Sequence, residues 1–280
     1  MPNVSKLTPG GIGRAAIESF AMFGGARPQL VRLGIPPVDE VLGGLSPGTS
    51  IVVGMDQGVG KSRTLLSASR ASQDRWGIIS LEDPADVLGS RILAMESGVN
   101  SLAMRRGVLS PDQRRRVREA QERLEADDGF RIACCVGGDI EDVGAAVDWL
   151  ADEGCLGIWL DYVQKIRGIR DDRNNEVATA MTLYHRRCAA RGVVAGLASQ
   201  ITGQLRGERP YASQLRETRD LANEARVIIL GWRDEARRAD GAVNFVLDKS
   251  TYGGGGLRWS CKTAASGMLE YEAGSEGSEF

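Results

Sequence analysis

Ile51-Val-Val-Gly-Met-Asp-Gln-Gly-Val-Gly-Lys-Ser-Arg63 decides how the rest of this chain is read. An apolar run of strand type ends at Gly54, a glycine-bearing loop follows, and Gly60-Lys61-Ser62 opens a segment of helical character. Strand, glycine loop and helix in that order make a phosphate-binding loop. Backbone N–H groups from Gly58, Val59 and Gly60 through Lys61, Ser62 and Arg63 curl around nucleotide phosphates, with the positive end of the helix behind them. Lys61 brings a point charge for the β and γ oxygens, and the Ser62 hydroxyl suits Mg²⁺. The loop pattern asks for Gly or Ala five positions before Gly60, where this chain has Met55 with Gly54 just ahead. A plain glycine turn between a core strand and a helix is the competing reading; the flanks and the Lys-Ser pair favour the phosphate loop.

Composition narrows the rest. A chain of 280 residues accommodates one large α/β domain or two small ones. Hydrophobic content of 42% and charged content of 26% are those of a soluble globular protein. A net charge of −2 gives no global basic field, so any nucleic-acid contact has to come from local arginines. Five cysteines, Cys134, Cys135, Cys155, Cys188 and Cys261, show no metal-ligand spacing and read as buried reduced thiols of a cytosolic protein. The single histidine, His185, has no cysteine nearby, which argues against zinc. There is no basic-then-apolar leader and no apolar window of about 18 residues, so a cytoplasmic protein, neither secreted nor membrane-spanning, is expected.

Strand and helix patterns alternate along the chain. Strands are expected at Ser50–Gly54, Trp76–Ser80, Phe130–Cys134, Leu156–Leu160, Val193–Ala198, Val227–Leu230, Val243–Leu247 and Leu257–Cys261. Helices are expected at Lys61–Ala71, Pro84–Ser97, Ser110–Ala126, Ile140–Asp152 and Asn175–Arg191. Alternation of this kind predicts an α/β fold, a mostly parallel sheet with helices on both faces. The last two strands, joined across Gly253-Gly254-Gly255-Gly256, form an antiparallel hairpin at one edge. The expected organisation is an arm over 1–29 with a short helix at Gly13–Phe23, one domain over 30–272, and a Gly/Ser/Glu-rich disordered tail over 273–280.

Two of these strands end in carboxylates. Leu156-Gly-Ile-Trp-Leu-Asp161 runs apolar into Asp161, and ligands in parallel sheets sit beyond the carboxyl ends of the strands. Asp161 is therefore a candidate Mg²⁺ holder, acting through a water, with helix capping as the structural alternative. Trp76-Gly-Ile-Ile-Ser-Leu-Glu82 brings Glu82 forward as a general base for the water that attacks the γ-phosphate. The alternative for Glu82 is an exposed residue before the Asp83-Pro84 helix start. Gln200, just past Val193–Ala198, has an amide able to sense that phosphate.

Taken together, these stretches resemble a family. Leu33-Gly-Ile-Pro-Pro-Val-Asp-Glu-Val-Leu-Gly-Gly-Leu-Ser-Pro-Gly48 resembles the opening segment of RecA-like P-loop ATPases, in particular the motor domain of DnaB-type replicative helicases. Ile79-Ser-Leu-Glu82, Asp161-Tyr-Val-Gln164, Ala198-Ser-Gln200, Leu215-Arg-Glu217 and Trp232-Arg-Asp-Glu235 are similar to that family's successive motifs, in order, over about residues 30–272. The resemblance implies a RecA-like fold and an ATPase and helicase that uses ATP and Mg²⁺. Lys61 and Ser62 would hold phosphate and metal, Asp161 would complete the metal site, Glu82 would be the catalytic base, and Gln200 would couple the γ-phosphate to DNA loops. It also implies a homo-oligomeric, hexameric ring on single-stranded DNA in replication, with a primase or helicase loader as a further partner. Arg216 and Glu217 match the backbone-contacting loop, with Arg219 where the family usually has Gly; Lys165 and Arg167, continued by Arg170 and Arg173, form a second basic loop suited to the same pore. A solvated loop rich in Arg and Asp is the alternative for the second.

Two departures stand out. The family's last motif carries Lys and, two residues later, Arg, both reaching a neighbour's ATP site; here Lys249-Ser250-Thr251 keeps the Lys and loses the Arg. Arg258, on the next strand of the hairpin, would take its place if the register set it beside Lys249 on one face. The other departure is that only about 30 residues precede the motor-like region, where replicative members carry a primase-binding domain. Two further readings follow: a RecA/RadA-like recombination or repair ATPase, and an ATP-gated DNA-binding module with weak hydrolysis.

Overall fold

The structure, a computed structural model, describes residues 29–126, 129–161, 173–201, 207–215, 225–234, 241–264 and 266–272. Contacts divide the chain into two units, Met1–Leu30 and Val31–Phe280. The helix expected at Gly13–Phe23 and the tail from 273 lie outside the described residues.

The second unit is built on a nine-stranded sheet: β1 (Ser50–Met55), β2 (Trp76–Ser80), β3 (Phe130–Cys134), β4 (Gly157–Asp161), β5 (Val194–Gln200), β6 (Val227–Trp232), β7 (Ala242–Ser250), β8 (Arg258–Thr263) and β9 (Leu269–Tyr271). Their spatial order is β3-β2-β4-β5-β1-β6-β7-β8-β9. The pairings from β3 through β6 are parallel, and those from β6 to β9 are antiparallel. Among the described residues seven α-helices accompany it: α1 (Pro36–Leu42), α2 (Lys61–Ala71), α3 (Ala85–Ser97), α4 (Ser101–Arg105), α5 (Pro111–Ala126), α6 (Ile140–Asp152) and α7 (Arg173–Ala190).

Central strands buried on both faces read as continuous apolar runs, which is why β1, β2 and β4 are visible in the sequence without alternation. Side chains still divide between two cores. Ile51, Val53 and Met55 point to the side of α2 and α3, with Leu65, Leu66 and Leu88. Val52 points to the side of α6 and α7, with Val147, Leu150 and Met181. On the first side Trp76 and Trp159 stack with ring centroids 4.7 Å apart. Glycines in the neighbouring strands make room: a Cβ at Gly157 would lie 2.6 Å from the Trp76 ring, and one at Gly196 would strike Trp159. Helix ends follow local chemistry. Asp139 caps α6 by accepting from Glu141 and Asp142 N–H, while the Asp142 carboxylate accepts from Asp139 N–H.

Three elements escape a reading of the sequence: α1, α4 and β9. At seven, five and three residues they are too short to show a period. β9 also corrects the edge, since β8 is covered by β9 and the hairpin is internal to the sheet. The cysteine expectation needs amending too. Cys155, Cys188 and Cys261 are buried, but Cys134 is exposed and Cys135 half-buried because β3 is the opposite edge strand. No helix among the described residues is long and apolar enough to cross a membrane.

Candidate nucleotide site

The register of the sheet assembles the site along its carboxyl edge, at the ends of the internal strands β2, β4, β5 and β1. Met55 lies across from Gln200 in the β1–β5 pair, and Ser80 lies across from Asp161 in the β2–β4 pair. Leu81 N–H donates to the Asp161 carbonyl at 2.9 Å, so Glu82 follows one residue beyond. β5 stands between the phosphate-loop strand and the Asp161 strand, which brings Gln200 in between.

The loop itself has the backbone that glycine permits. Gly58 has φ 76° and Gly60 φ 118°, left-handed values costly for other residues. Gly60 is the residue before α2, and its carbonyl accepts from both Thr64 N–H at 2.9 Å and Thr64 Oγ1 at 3.1 Å. A cleft of about 400 Å³ opens in front, lined by Gly58, Gly60, Lys61, Ser62, Glu82 and Gln200. The cleft continues past Arg63 to Met95 and the β8–β9 turn at Gly267.

Electrostatics match the geometry. Asp161 is buried at 4% exposure. Burial pushes its carboxyl above the usual range, and Glu82 and Asp83 add to this; a hydrogen bond with Ser62 and the charge of Lys61 pull the other way. Its Oδ1 has no hydrogen-bond partner. Burial lowers Lys61 below the usual ammonium value, against the attraction of Asp161 and Glu82. Asp161 does not itself line the cleft, but it is a buried carboxylate with one oxygen spare that sits behind the cleft-lining Ser62 and Lys61, and such a donor suits a Mg²⁺ held by few protein ligands, waters and phosphates. No group of three or more His, Cys, Asp or Glu among the described residues forms a cage of its own.

Three arginines crowd this region. Arg63 lines the cleft, and its charge is disfavoured first by burial, then by Arg233 and Arg91. Arg91 pairs with Asp83, and Arg233 Nη2 donates to the Val59 carbonyl at 3.4 Å. Of the three, the sequence marks Arg63 alone as a site residue. No pattern singles out Arg91, and Arg233 sits without an assigned role within the quoted Trp232-Arg-Asp-Glu235 stretch.

The hairpin corrects one expectation. Arg258 pairs with Val246, and the ladder closes with Leu247 N–H to the Leu257 carbonyl and Gly256 N–H to the Leu247 carbonyl. Lys249 lies three residues past Val246, roughly 10 Å along a strand. Arg258 is therefore not beside Lys249. In the turn between the strands, Gly254 seats against Val41, where any Cβ would clash. Lys165, Arg167, Arg216, Glu217 and Arg219 lie outside the described residues.

A parallel sheet with β5 between the loop strand and the Asp161 strand, and Lys61, Ser62, Asp161, Glu82 and Gln200 at its edge, defines a RecA-like P-loop α/β protein. The sequence model of the DnaB-like helicase C terminal domain matches residues 31–255, and the chain belongs to that family. It is 24% identical over 226 residues to the replicative DNA helicase DnaB of Geobacillus stearothermophilus, covering 77% of this chain and 50% of that one. It is likewise 24% identical over 213 residues to the replicative DNA helicase DnaC of Bacillus subtilis (strain 168), covering 72% and 47%. The chain thus spans about half the length of these relatives. Among solved structures, a DnaB-like replicative helicase studied with its interactions with primase superposes with a TM-score of 0.79 at 17% identity, covering 95% of this chain and 67% of that one. A separately solved ATPase domain gives 0.80 at 17%, covering 95% and 99%. The RadB recombinase is more distant, at 0.54 and 16% over 84% and 96%.

Proposed function

We propose that this chain is an ATP-hydrolysing motor that moves along single-stranded DNA as part of a ring of identical subunits. The observation that carries the reading is the meeting of the phosphate loop, the buried Asp161 and Glu82 at one sheet edge. Lys61 binds the β and γ oxygens. Ser62 and Asp161 would hold Mg²⁺, which neutralises phosphate charge when bound. Glu82 takes the proton of the attacking water. Gln200, at the end of β5, contacts the γ-phosphate and relays its loss toward the chain beyond Ile201. Gly58, Val59, Gly60 and Arg63 complete the cradle.

The DNA contacts fall to Arg216, Glu217 and Arg219, with Lys165 and Arg167 as a second basic group. Lys249 and Arg258 act in trans on a neighbour's nucleotide as two separate charges. A hexameric ring with a primase or loader as a further partner, working in the cytoplasm during replication, is the setting this reading implies.

The test is ATP turnover with and without ssDNA, followed by strand separation on a forked duplex. Turnover that ssDNA accelerates, and that Lys61→Ala and Glu82→Gln both abolish, supports the motor. Thr251, in place of the expected arginine, favours one second reading, an ATP-gated DNA-binding module with slow hydrolysis. In that case ATP promotes ssDNA binding while turnover stays low and no fork opens.

A further inference from the structure

β7 carries one extra residue against β6. Leu247 pairs with Ile229 and Lys249 with Ile228, so Asp248 is the residue of a β-bulge. Bulges re-aim a side chain near functional sites, and here the aim is specific. Both Asp248 oxygens are engaged by the segment at 207–215: Oδ1 accepts from Arg209 Nη2 at 2.8 Å, and Oδ2 accepts from Ala212 N–H at 3.2 Å. The Asp248 side chain is only 14% exposed. Arg209 also lies over the Tyr211 ring, 5.3 Å from its centroid, and Tyr211 and Gln214 close a tight turn through two further hydrogen bonds.

That segment is tied to the nucleotide site at its far end. Leu215 bridges Ile201, the residue after Gln200, and its side chain fills the space over Gly54 in the phosphate-loop strand. The next residue in the chain is Arg216. On the other side of Asp248, the next residue is Lys249. β7 is a firm base for such a link, since Phe245 stacks on Trp259 of β8 at 5.5 Å. One carboxylate therefore joins the root of the candidate DNA loop to the strand bearing a candidate trans cation, by direct contacts.

We propose that Asp248 is a positioning residue that locks the 207–215 segment to β7, so that DNA contact beyond Leu215 sets the placement of Lys249. This rests on the motor reading given above. Asp248 does not line the nucleotide cleft and spends both oxygens on Arg209 and Ala212, so its loss acts on the coupling rather than on nucleotide binding. Losing the carboxylate also strands Arg209, whose buried Nε already lacks a partner.

The experiment compares wild type, Asp248→Asn, Arg209→Ala and the double variant. Read out are unstimulated turnover, ssDNA-stimulated turnover, affinity for a fluorescent ADP, and melting temperature. The expected result for Asp248→Asn is a loss of about fivefold or more in the ratio of stimulated to unstimulated turnover. Unstimulated turnover and ADP affinity stay within about twofold, and the double variant is no worse than the worse single one. Arg209→Lys, which keeps the charge and carries less risk to the fold, retains most of the stimulation. A wild-type ratio in Asp248→Asn overturns the proposal, and so does an equal fall in both rates, which marks a merely structural residue. Wild-type turnover indifferent to ssDNA is a different outcome: it removes the motor reading first and this inference with it.

Discussion

Ser80 of β2 lies directly across from Asp161 of β4, and the N–H of Leu81 donates to the Asp161 carbonyl at 2.9 Å. This pairing fixes the spacing between the Asp161 and Glu82 positions through backbone geometry rather than through flexible side chains. It also makes their roles separable by mutation.

Glu82→Gln preserves shape and removes the carboxylate proposed as the proton acceptor. ATP binding, followed with a fluorescent analogue, stays within a few fold, while single-turnover hydrolysis falls by about 10²–10⁴. Wild-type turnover in this variant would remove Glu82 as the base.

Asp161 and Lys61 are both disfavoured by burial when no nucleotide is bound. Burial raises the Asp161 carboxyl above its usual 3.8, so the folded state holds that proton more tightly than the unfolded chain. Its cost to stability therefore appears as pH rises from 3.8 through the raised value and is fully present above it. Lys61 is lowered from 10.5, so its cost is present below the lowered value and fades as pH climbs toward 10.5. Asp161→Asn is expected to melt at or above the wild-type temperature at pH 7 without ligand. Its gain over wild type should shrink on acidification toward pH about 4, as the wild-type carboxyl takes up its proton. Added Mg²⁺ and ATP at a hundred times the dissociation constant stabilise wild type by about 2.7 kcal/mol, and the variant should lose most of that response. Thermal melts across pH with and without ligand check both signs.

Gly196→Ala drives a methyl into the Trp159 ring, which already stacks on Trp76. Overpacking of this kind costs about 1–3 kcal/mol. Urea denaturation should show the loss, with nucleotide affinity unchanged in the remaining folded protein. An unaltered midpoint would mean the tryptophan pair has room to move.

Lys249 and Arg258 are three strand positions out of register. Their Ala substitutions should lower turnover additively, within about 0.5 kcal/mol. Strong non-additivity in the double variant would show that they share one phosphate contact. Thr251→Arg restores a guanidinium two residues after Lys249, and a large rise in turnover would show that the native site works without a full finger.

The sequence was most legible where one residue type had one physical use. Gly58, Gly60, Lys61 and Ser62 marked the loop, and carboxylates closing apolar runs marked Asp161 and Glu82. It was least legible where tertiary packing chose. Leu269–Tyr271 is a strand because β8 offers it an edge, not because three residues have a pattern. The distance between Arg258 and Lys249 was hidden because the register, in which Arg258 pairs with Val246, depends on where the glycine-rich turn closes, and four successive glycines allow several closures. Arg91 reaches the cleft from α3, and no spacing in the sequence announces it.

Basic loops that track a DNA backbone neutralise phosphates, so binding should weaken with salt at a log–log slope of roughly −0.7 per phosphate neutralised. Arg216→Ala with Arg219→Ala should flatten that slope for every sequence alike. An unchanged slope would take this loop out of the DNA path.

In the proposed motor, Mg²⁺-dependent ATP hydrolysis at the carboxyl ends of the central strands drives movement on single-stranded DNA. The most direct measurement is ATP-dependent opening of a forked duplex by wild type beside Glu82→Gln, with ATP turnover recorded in the same reactions. Wild type is expected to hydrolyse ATP faster with ssDNA and to open the fork, while Glu82→Gln binds ATP and does neither. Fork opening by Glu82→Gln at the wild-type rate, or wild-type hydrolysis indifferent to DNA with forks left closed, would contradict it.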